Sequence, residues 1–480
     1  MQFNTLHFAC FFITVYVLYR FSSHKWQNAL LLLASYVFYS FWDWRFLPLL
    51  WLSTIVNFFC GIKIDNLPEG RRRTTWFITS VCFNLGILGL FKYFNFFSEG
   101  FRGILWLLGF QANPMTINII LPLGISFYTF QVMSYPIDIY WGRIKPTKRF
   151  FDFALFVAFF PQIISGPIER ARNMLPQILN KRSVTAEKFY GGCWLIFWGL
   201  YKKLVVADNL ARMTAGVFGA YVPGISGKIT LFMSFAFTFQ LYADFSGYSD
   251  MARGLARVMG FDIMLNFKTP FFSKNPSDLW QRWHISLTTW IKEYLYYPLG
   301  LAQFFGRPLN SYVVILLTWA IMGFWHGPQL KYVAWGVYHG TLIILYSKLR
   351  PFENFIKVKN KIILAASAAF RMLIMLTLFS IGLVFFAANS SREAFAAIGD
   401  IIFNFSKSFS FGAVGMSYIG MMAIFLLPMA VVEYLQYKSD DELVIFKWPA
   451  LLRGAAYYIL FYLIIVYGVF SVQKYYYFQF

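Results

Sequence analysis

The stretch SYVVILLTWAIMGFWHG, residues 311–327, joins a continuous apolar run to a histidine that stands between two glycines. A helix needs about 20 apolar residues to cross a hydrocarbon core of roughly 30 Å, and several runs in this chain approach that length. The runs lack the alternation of polar and apolar residues that a membrane β-barrel requires. Because backbone groups cannot stay unpaired in lipid, the spanning segments are predicted to be helices. The predicted fold class is therefore an all-α polytopic membrane protein.

The composition argues against a soluble protein and against a nucleic-acid partner. Of the 480 residues, 59% are hydrophobic and only 13% are charged, whereas about a quarter of a soluble domain is charged. The net charge is +21. We attribute this excess to loops that face the cytoplasm and to contacts with anionic membrane lipids. The apolar N-terminal segment lacks a basic start and a cleavage site, which predicts a retained span.

The apolar runs predict about 11 transmembrane helices, because some of the runs are short enough to be re-entrant. We expect a single membrane domain, with N-terminal helices at 1–115, a core at 116–348 and C-terminal helices at 349–480. The candidate spans are 6–20, 27–42, 46–63, 75–97, 117–140, 151–167, 189–207, 229–243, 310–325, 331–348, 362–388, 413–436 and 452–471.

The middle of the chain, roughly residues 121–345, mixes apolar stretches with polar clusters. The clusters are LPLGISFYTFQ, FFPQIISGPIER, QLYADFSGYSD, NFKTPFFSKNPSDLWQRWHISL and MGFWHGPQLKYVAWGVYHG. Polar groups at membrane depth are tolerated only inside protein or along a cavity. The sequence therefore predicts a core with a polar tunnel, framed by simpler helices at both ends.

The segment NPSDLWQRWHISLTTWIKEYLYYPLG carries the signals of a helix N-terminus. Asn275 is the predicted cap, Pro276 the first helical residue, and Asp278 lies in the first turn near the positive end of the helix dipole. The helix is expected to continue to Ile291 and to carry His284 on its apolar face. It is too polar and too short for an ordinary span, so we expect an interfacial or re-entrant helix.

The pair Gly327–Pro328 is a helix stop, in which the glycine can adopt the left-handed conformation. His326 is therefore predicted in the last turn of a buried helix, where an imidazole can accept a proton from a hydroxyl and return it to a leaving group. A buried histidine is more often a structural hydrogen-bonding group. For His326 and His284, their position at membrane depth favours a catalytic role. His339 stays open between lining the site and supporting it.

The run DFSGYSDMARGLARVMGFD is predicted to form a short helix that places Arg253 and Arg257 one turn apart. Two interpretations stay open for these arginines. They can contact lipid phosphates from an interfacial helix, or they can contact the phosphates of a nucleotide-bearing donor. Asp244 and Asp250 need partners if they are buried, and Arg282 is a candidate partner.

These motifs together resemble the membrane-bound O-acyltransferase (MBOAT) family, in its alginate and peptidoglycan O-acetyltransferase branch. The resemblance rests on DFSGYSDMARGLARVMGF, NFKTPFFSKNPSDLWQRWHISLTTWIKEYLY, GFWHG and VAWGVYHG, and it extends to about residue 345. It implies an MBOAT-type ring of transmembrane helices, with re-entrant or interfacial helices, around a central tunnel. Many relatives carry a turn rich in Gly, Asn and Arg after the YLY motif. Here that turn reads PLGLAQFFGRPLN. Of all that the resemblance implies, the contacts of this turn are the part that carries over least to this chain.

The resemblance also implies roles for individual residues. The family's invariant histidine falls on His326, the expected general base. A second catalytic position, which the family fills with Asn, Asp or His, falls on His284, and this residue is expected to orient the acceptor or polarise the thioester carbonyl. Arg253 and Arg257 are the candidates for the donor phosphates, and no metal site is expected. The remaining substrate and tunnel candidates are Trp325, Trp280, Trp283, Arg282, Tyr248, Asp244, Asn266 and His339.

The activity implied by the resemblance is O-acetylation of an extracytoplasmic polysaccharide, either an alginate-like exopolysaccharide or peptidoglycan. Acetyl-CoA in the cytoplasm is the expected donor substrate, without a metal or prosthetic group, and an extracytoplasmic partner of the SGNH type is expected to complete the transfer. The expected location is the inner membrane of a bacterial cell. Two alternatives stay open: a D-alanyl transferase for teichoic acid that uses a carrier-protein thioester, and a transporter without catalysis.

Overall fold

The computed structural model describes residues 1–110, 120–218, 224–304, 306–353, 360–407, 412–471 and 475–476. Contacts between Cα atoms divide the chain into two compact units. One comprises Met1–Ile196 with Ser249–Met264, and the other comprises Phe197–Tyr248 with Leu265–Phe480. The expected arrangement as a single membrane domain stays a prediction.

The described residues are predominantly helical and contain almost no strands, which confirms the all-α class. The helices of the first half are α1 (Leu6–Phe21), α2 (His24–Asp43), α3 (Leu47–Asn66), α4 (Arg71–Leu88), α5 (Phe94–Leu107), α6 (Ile125–Tyr140), α7 (Phe150–Ala158), α8 (Ala171–Leu179), α9 (Ala186–Tyr201), α10 (Asp208–Phe218) and α11 (Gly227–Val258). Those that follow are α12 (Pro276–Arg282), α13 (Ile285–Ile291), α14 (Tyr297–Leu301), α15 (Ser311–His326), α16 (Leu330–Glu353), α17 (Lys361–Ala387), α18 (Ser391–Phe403), α19 (Gly412–Ser439) and α20 (Ala450–Tyr467).

Two short strands, β1 (Gln303–Phe304) and β2 (Arg307–Pro308), form an antiparallel ladder after α14. They belong to the PLGLAQFFGRPLN turn, of which Phe305 lies outside the described residues. In the part of the chain that the structure describes, three π-helical segments extend neighbouring α-helices, at Gly89–Tyr93, Lys202–Ala207 and Lys292–Tyr296.

Several helical stretches are long and apolar enough to cross a membrane, as expected for a multi-pass protein. Within the described residues these are His24–Asn66, Arg71–Leu107, Lys361–Ala387, Tyr418–Ser439 and Ala450–Tyr467. α1 and α15 are shorter apolar helices. The total of about 11 crossings stays a prediction.

Two candidate spans differ from the structure. Span 151–167 is not one helix, because α7 ends at Ala158 and the next twelve residues run as buried irregular chain. Pro161 and the Gly166–Pro167 pair explain this end, since proline cannot continue a helix. In span 117–140, α6 begins only at Ile125, after Gly124 with a φ of 77°. Residues 117–119 lie outside the described residues.

In the first unit, α6 and an amide network form the interior. Every residue of α6 from Ile125 to Ile139 is buried. Between α3 and α4, Asn84 Nδ2 donates a hydrogen bond to Asn57 Oδ1 over 2.8 Å, and Ser80 Oγ donates to the same oxygen over 2.8 Å. Side-chain hydrogen bonds of this kind join helices where lipid offers no alternative partner.

In the second unit, glycines bring the backbones of α15 and α16 into contact. A Cβ atom added at Gly336 would lie 2.1 Å from the carbonyl oxygen of Trp319, and one added at Gly323 would lie 2.2 Å from that of Tyr332. Small residues allow such close approach of membrane helices. The contact holds the C-terminal end of α15, which carries His326, against the start of α16.

Replacing Gly336 by alanine is expected to destabilise the protein. The added methyl group would overlap the Trp319 carbonyl group, and overpacking of this kind costs about 1–3 kcal/mol. Thermal unfolding of the detergent-purified protein, followed by tryptophan fluorescence, would show a lowered Tm. Gly420→Ala in α19 is the matched control, since a Cβ atom there has no described neighbour within 4 Å. A Tm unchanged in Gly336→Ala would contradict the close contact.

Candidate active site around His326 and His284

His326 occupies the last turn of α15 and Gly327 ends the helix, as the sequence predicts. Gly327 does not adopt the left-handed conformation that is open to glycine, since its backbone is extended with φ of 177°. A glycine is needed there for space. A Cβ atom at Gly327 would lie 2.5 Å from Cε2 of the Tyr332 ring. The ring of Tyr332 thus packs directly against the backbone where α15 ends.

The imidazole of His326 is enclosed by aromatic rings. It is 4% exposed, and its ring centroid lies 4.8 Å from that of Trp325, 5.2 Å from that of Trp335 and 5.0 Å from that of Phe386. These rings belong to α15, α16 and α17. They fix the position of the imidazole and exclude bulk water from its faces, which strengthens electrostatic interactions at the site.

His339 lies deeper in the same aromatic cluster. It is fully buried, its ring centroid is 5.1 Å from that of Trp335 and 5.0 Å from that of Trp280, and neither ring nitrogen has a hydrogen-bond partner among the described residues. A Cβ atom at Gly382 would lie 2.7 Å from His339 Nε2, so α17 leaves space for the imidazole. Trp335 contacts both His326 and His339, which favours a supporting role for His339.

The helix predicted to run through His284 is interrupted there. α12 ends at Arg282 and α13 begins at Ile285, while His284 has a left-handed backbone with φ of 46° and ψ of 52°. Asn266 explains the break. Its carbonyl oxygen accepts from Ile285 N over 2.9 Å, and its Oδ1 accepts from Ser286 Oγ over 2.6 Å. These bonds replace the helical ones that the sequence pattern assumed.

The backbone conformation and the burial of His284 are typical of a functional position. A residue other than glycine in the left-handed region stores about 1–3 kcal/mol, and such residues cluster at active sites. The imidazole is 1% exposed and lies edge-to-face against Phe245, with ring centroids 4.7 Å apart. His284 lies outside the candidate spans. Burial lowers the pKa of its imidazole to about 3, so the ring is neutral.

The start of α12 confirms the predicted cap. Asn275 Oδ1 accepts from Asp278 N over 2.8 Å, and Pro276 is the first helical residue. The predicted site role of Arg282 fits less well. Its guanidinium is only partly buried and pairs with Asp278 over 2.7 Å, one helical turn away.

The three tryptophans predicted as tunnel walls are all buried. Trp280 contacts Trp319 with ring centroids 4.5 Å apart, and Trp283 contacts Phe379 at 4.7 Å. Trp325 lies beside His326, as described above. The structure therefore gathers these three tryptophans with His326 and His339. Trp280 lies on α12, Trp283 directly follows that helix, and the others lie on α15 and α16. Sequence analysis missed Trp335, although the motif VAWGVYHG contains it.

The predicted partner of Asp244 is wrong. Asp244 Oδ1 pairs with Lys203 Nζ over 2.7 Å, and its Oδ2 accepts from Tyr476 N over 2.7 Å. Lys203 Nζ also lies 2.8 Å from Asp208 Oδ1, so one buried cation joins two carboxylates. The signal in the sequence is a pair of lysines inside an apolar run. Tyr248, another tunnel candidate, is buried edge-to-face against the ring of Tyr475, 5.1 Å away.

The helix that carries Arg253 and Arg257 is longer than predicted. Both residues lie on α11, a 32-residue helix, because the apolar run before Asp244 continues into it without a breaker. Both arginines are partly buried, and Arg257 lies 3.9 Å from Glu187 within the first unit. Their role at donor phosphates stays a prediction. Among the described residues, no group of His, Cys, Asp and Glu side chains is arranged to hold a metal ion.

Comparison with known proteins identifies the family of this chain. The sequence model of the membrane-bound O-acyltransferase family matches residues 145–387. The chain is 41% identical over 347 residues to the probable alginate O-acetylase AlgI of Pseudomonas aeruginosa, a region that covers 72% of this chain and 66% of that protein. It is 35% identical over 345 residues to the peptidoglycan O-acetyltransferase of Helicobacter pylori, covering 66% of this chain and 63% of that protein.

A third relative is named for a different activity. The chain is 31% identical over 249 residues to the teichoic acid D-alanyltransferase of Bacillus subtilis, which covers 49% of this chain and 62% of that protein. The chain thus spans slightly less than two thirds of the length of these three relatives. The family match covers half of the chain and contains His284, His326 and His339. The chain belongs to the membrane-bound O-acyltransferase family of acyl-transferring enzymes.

Proposed function

We propose that this protein transfers an acetyl group from cytoplasmic acetyl-CoA to a hydroxyl group for O-acetylation of an extracytoplasmic polysaccharide. The names of two relatives, probable alginate O-acetylase and peptidoglycan O-acetyltransferase, support this reaction and this class of acceptor. The observation that carries the proposal is the burial of His326 among aromatic rings at the end of α15. A fixed imidazole in a dry site suits proton transfer better than passage of a solute.

In the proposed reaction His326 is the general base. Its imidazole takes the proton of the acceptor hydroxyl as the oxygen attacks the thioester carbonyl carbon. A carbon–oxygen bond forms, the carbon–sulfur bond breaks, and the proton on His326 passes to the departing thiolate. A positioned base contributes roughly 10²–10⁴-fold to the rate. Holding donor and acceptor in line contributes several kcal/mol more.

His284 serves the same reaction as a neutral hydrogen-bonding group. Because burial keeps its pKa near 3, its imidazole can donate an N–H to the carbonyl oxygen, where negative charge develops, or orient the acceptor hydroxyl. Asn266 positions His284 through the turn at 285–286. Trp280, Trp283 and Trp325 wall the tunnel.

We assign the phosphates of the donor to Arg253 and Arg257, which are partly buried cations. Acetyl-CoA binding would then compete with the ion pair between Arg257 and Glu187. We place the protein in the inner membrane of a bacterial cell, with an SGNH-type partner on the extracytoplasmic side that receives the acetyl group or completes its transfer.

D-alanyl transfer is the second candidate function, since the Bacillus subtilis relative carries that name. That relative aligns with 49% of this chain, whereas the alginate O-acetylase aligns with 72%. Acetyl-CoA and a carrier protein loaded with D-alanine, offered separately to the purified enzyme, distinguish the two. Turnover of the carrier thioester alone would replace our proposal.

Replacing His326 by alanine is expected to reduce acetyl transfer by roughly 10²–10⁴-fold, because the base is lost. Thiol release from acetyl-CoA by protein in lipid nanodiscs measures the rate, and thermal unfolding checks that the fold is kept. His7→Ala on α1 is the matched control, since His7 is exposed. Full activity in a folded His326→Ala protein would rule out this role.

Two replacements of His284 are expected to differ in activity. Asparagine and glycine both tolerate the left-handed backbone, but only asparagine offers a hydrogen-bonding side chain. We therefore expect His284→Asn to retain about tenfold more activity than His284→Gly, measured as thiol release. The two variants should unfold at similar temperatures. Equal activity would show that the conformation of residue 284, and not its side chain, is what the reaction needs.

A further inference from the structure

A cavity of about 440 Å³ in the second unit lies beside α10 and α11. Its polar lining includes Asp208, Arg212 and Gln240, and its aromatic lining includes Phe237 and Tyr476. The volume is in the range of sites that bind small molecules, about 300–1,000 Å³. None of these lining residues takes part in the reaction steps given above.

One carboxylate oxygen in this lining lacks a hydrogen-bond partner within the part of the chain that the structure describes. Asp208 is buried and its Oδ1 pairs with Lys203, but its Oδ2 is buried without a hydrogen-bond partner among the described residues. A buried acceptor without a partner is costly, and buried polar groups are rarely left so. Because Asp208 lines the cavity, a rotation of its carboxylate would present this oxygen to a ligand that donates hydrogen bonds.

Other polar groups of the cavity have capacity left as well. Thr214 Oγ1 donates to Gln240 Oε1, which leaves the amide NH₂ group of Gln240 as a donor. Asn389 Nδ2 donates to the carbonyl oxygen of Phe218 over 3.0 Å, which leaves Asn389 Oδ1 as an acceptor. The cavity therefore offers donors and acceptors side by side, which is the pattern that hydroxyl groups match.

The charges of the lining residues favour a ligand with hydroxyl groups over one with phosphates. The positive charges of Lys203 and Arg212 are balanced by the negative charges of Asp208 and Asp244, and all four residues line the cavity. A pyrophosphate needs a net positive site, whereas a neutral polyol does not. The rings of Phe237 and Tyr476, with centroids 5.2 Å apart, add apolar surface for the carbon face of a sugar ring.

The cavity and His326 share one turn of α17. Ala387 lines the cavity, and its neighbour Phe386 packs on the His326 ring with centroids 5.0 Å apart. Tyr476, also in the lining, donates from its hydroxyl to the Phe386 carbonyl oxygen over 3.0 Å. A group held in the cavity is therefore separated from the site of His326 by the chain at 386–387.

We propose that this cavity is the acceptor subsite, which binds a hydroxyl-rich sugar unit through Asp208 and Gln240 beside the site of His326. The proposal rests on the proposed function in treating that sugar as the acceptor of the acetyl group. The binding itself does not depend on catalysis, so it is tested separately.

The test uses full-length protein in nanodiscs and two soluble probes, a neutral hexose tetrasaccharide and a uronate tetrasaccharide. Binding is followed by the rise in Tm that each probe causes, and donor turnover by thiol release from acetyl-CoA. We expect a probe to bind wild-type protein, and Ala215→Trp, which fills the cavity, to weaken that binding about tenfold or more. Tighter binding of the uronate probe would assign its carboxylate to Arg212.

Ala366→Trp is the matched control, because Ala366 is exposed on α17 and is not part of the lining. If Ala215→Trp does not fold, Gln240→Met decides, since it removes the amide at similar volume, and we expect binding about tenfold weaker. Failure of both probes to bind wild-type protein, or unchanged binding in the folded variant, would overturn the subsite. Absence of donor turnover together with cavity-dependent binding would instead overturn the proposed function and keep the subsite.

Discussion

The arrangement of the site depends on the backbone contact between α15 and α16. The carbonyl group of Trp319 packs directly against Gly336, which has no side chain, so no larger residue fits at position 336. In lipid there is little hydrophobic gain from helix association, and close packing must supply the stability. That contact sets Trp335 against His326, and the same ring contacts His339. The aromatic cluster is therefore a consequence of two helices that approach without side chains between them.

Local signals predicted the parts of the fold that local chemistry determines. Apolar runs predicted helices, Asn275 predicted the start of α12, and Gly327 predicted the end of α15 beside His326. The break at His284 could not be predicted, because it comes from Asn266 hydrogen-bonding to a residue 20 positions away. The pairing of Lys203 with Asp244 could not be predicted either, because the two residues lie 41 positions apart. Distant pairings leave no periodic trace in a single sequence.

The buried ion cluster of Lys203, Asp208 and Asp244 has a desolvation cost that apolar packing would not have. Lys203 lies between Asp208 and Asp244 and is 1% exposed. Removing charges from water costs several kcal/mol per ion, and close pairing offsets this only when the geometry is good. One ammonium group does not provide hydrogen bonds to all the oxygen atoms of two carboxylates. Asp208 Oδ2 is an oxygen that lacks a partner among the described residues. A cluster built only for stability would have little reason to leave an acceptor unused beside a cavity.

The left-handed backbone at His284 restricts which residues the position can hold. Outside glycine, that conformation is tolerated best by asparagine, aspartate and histidine. The resemblance to the MBOAT family implies the same three residues at this position, where they are expected to serve catalysis. Backbone geometry selects this set by itself, before any chemistry is considered. A relative whose chain bends in the same way at the position of residue 284 should therefore carry glycine or one of these three residues there. β-branched residues should be absent from that position even in a relative that had lost its activity.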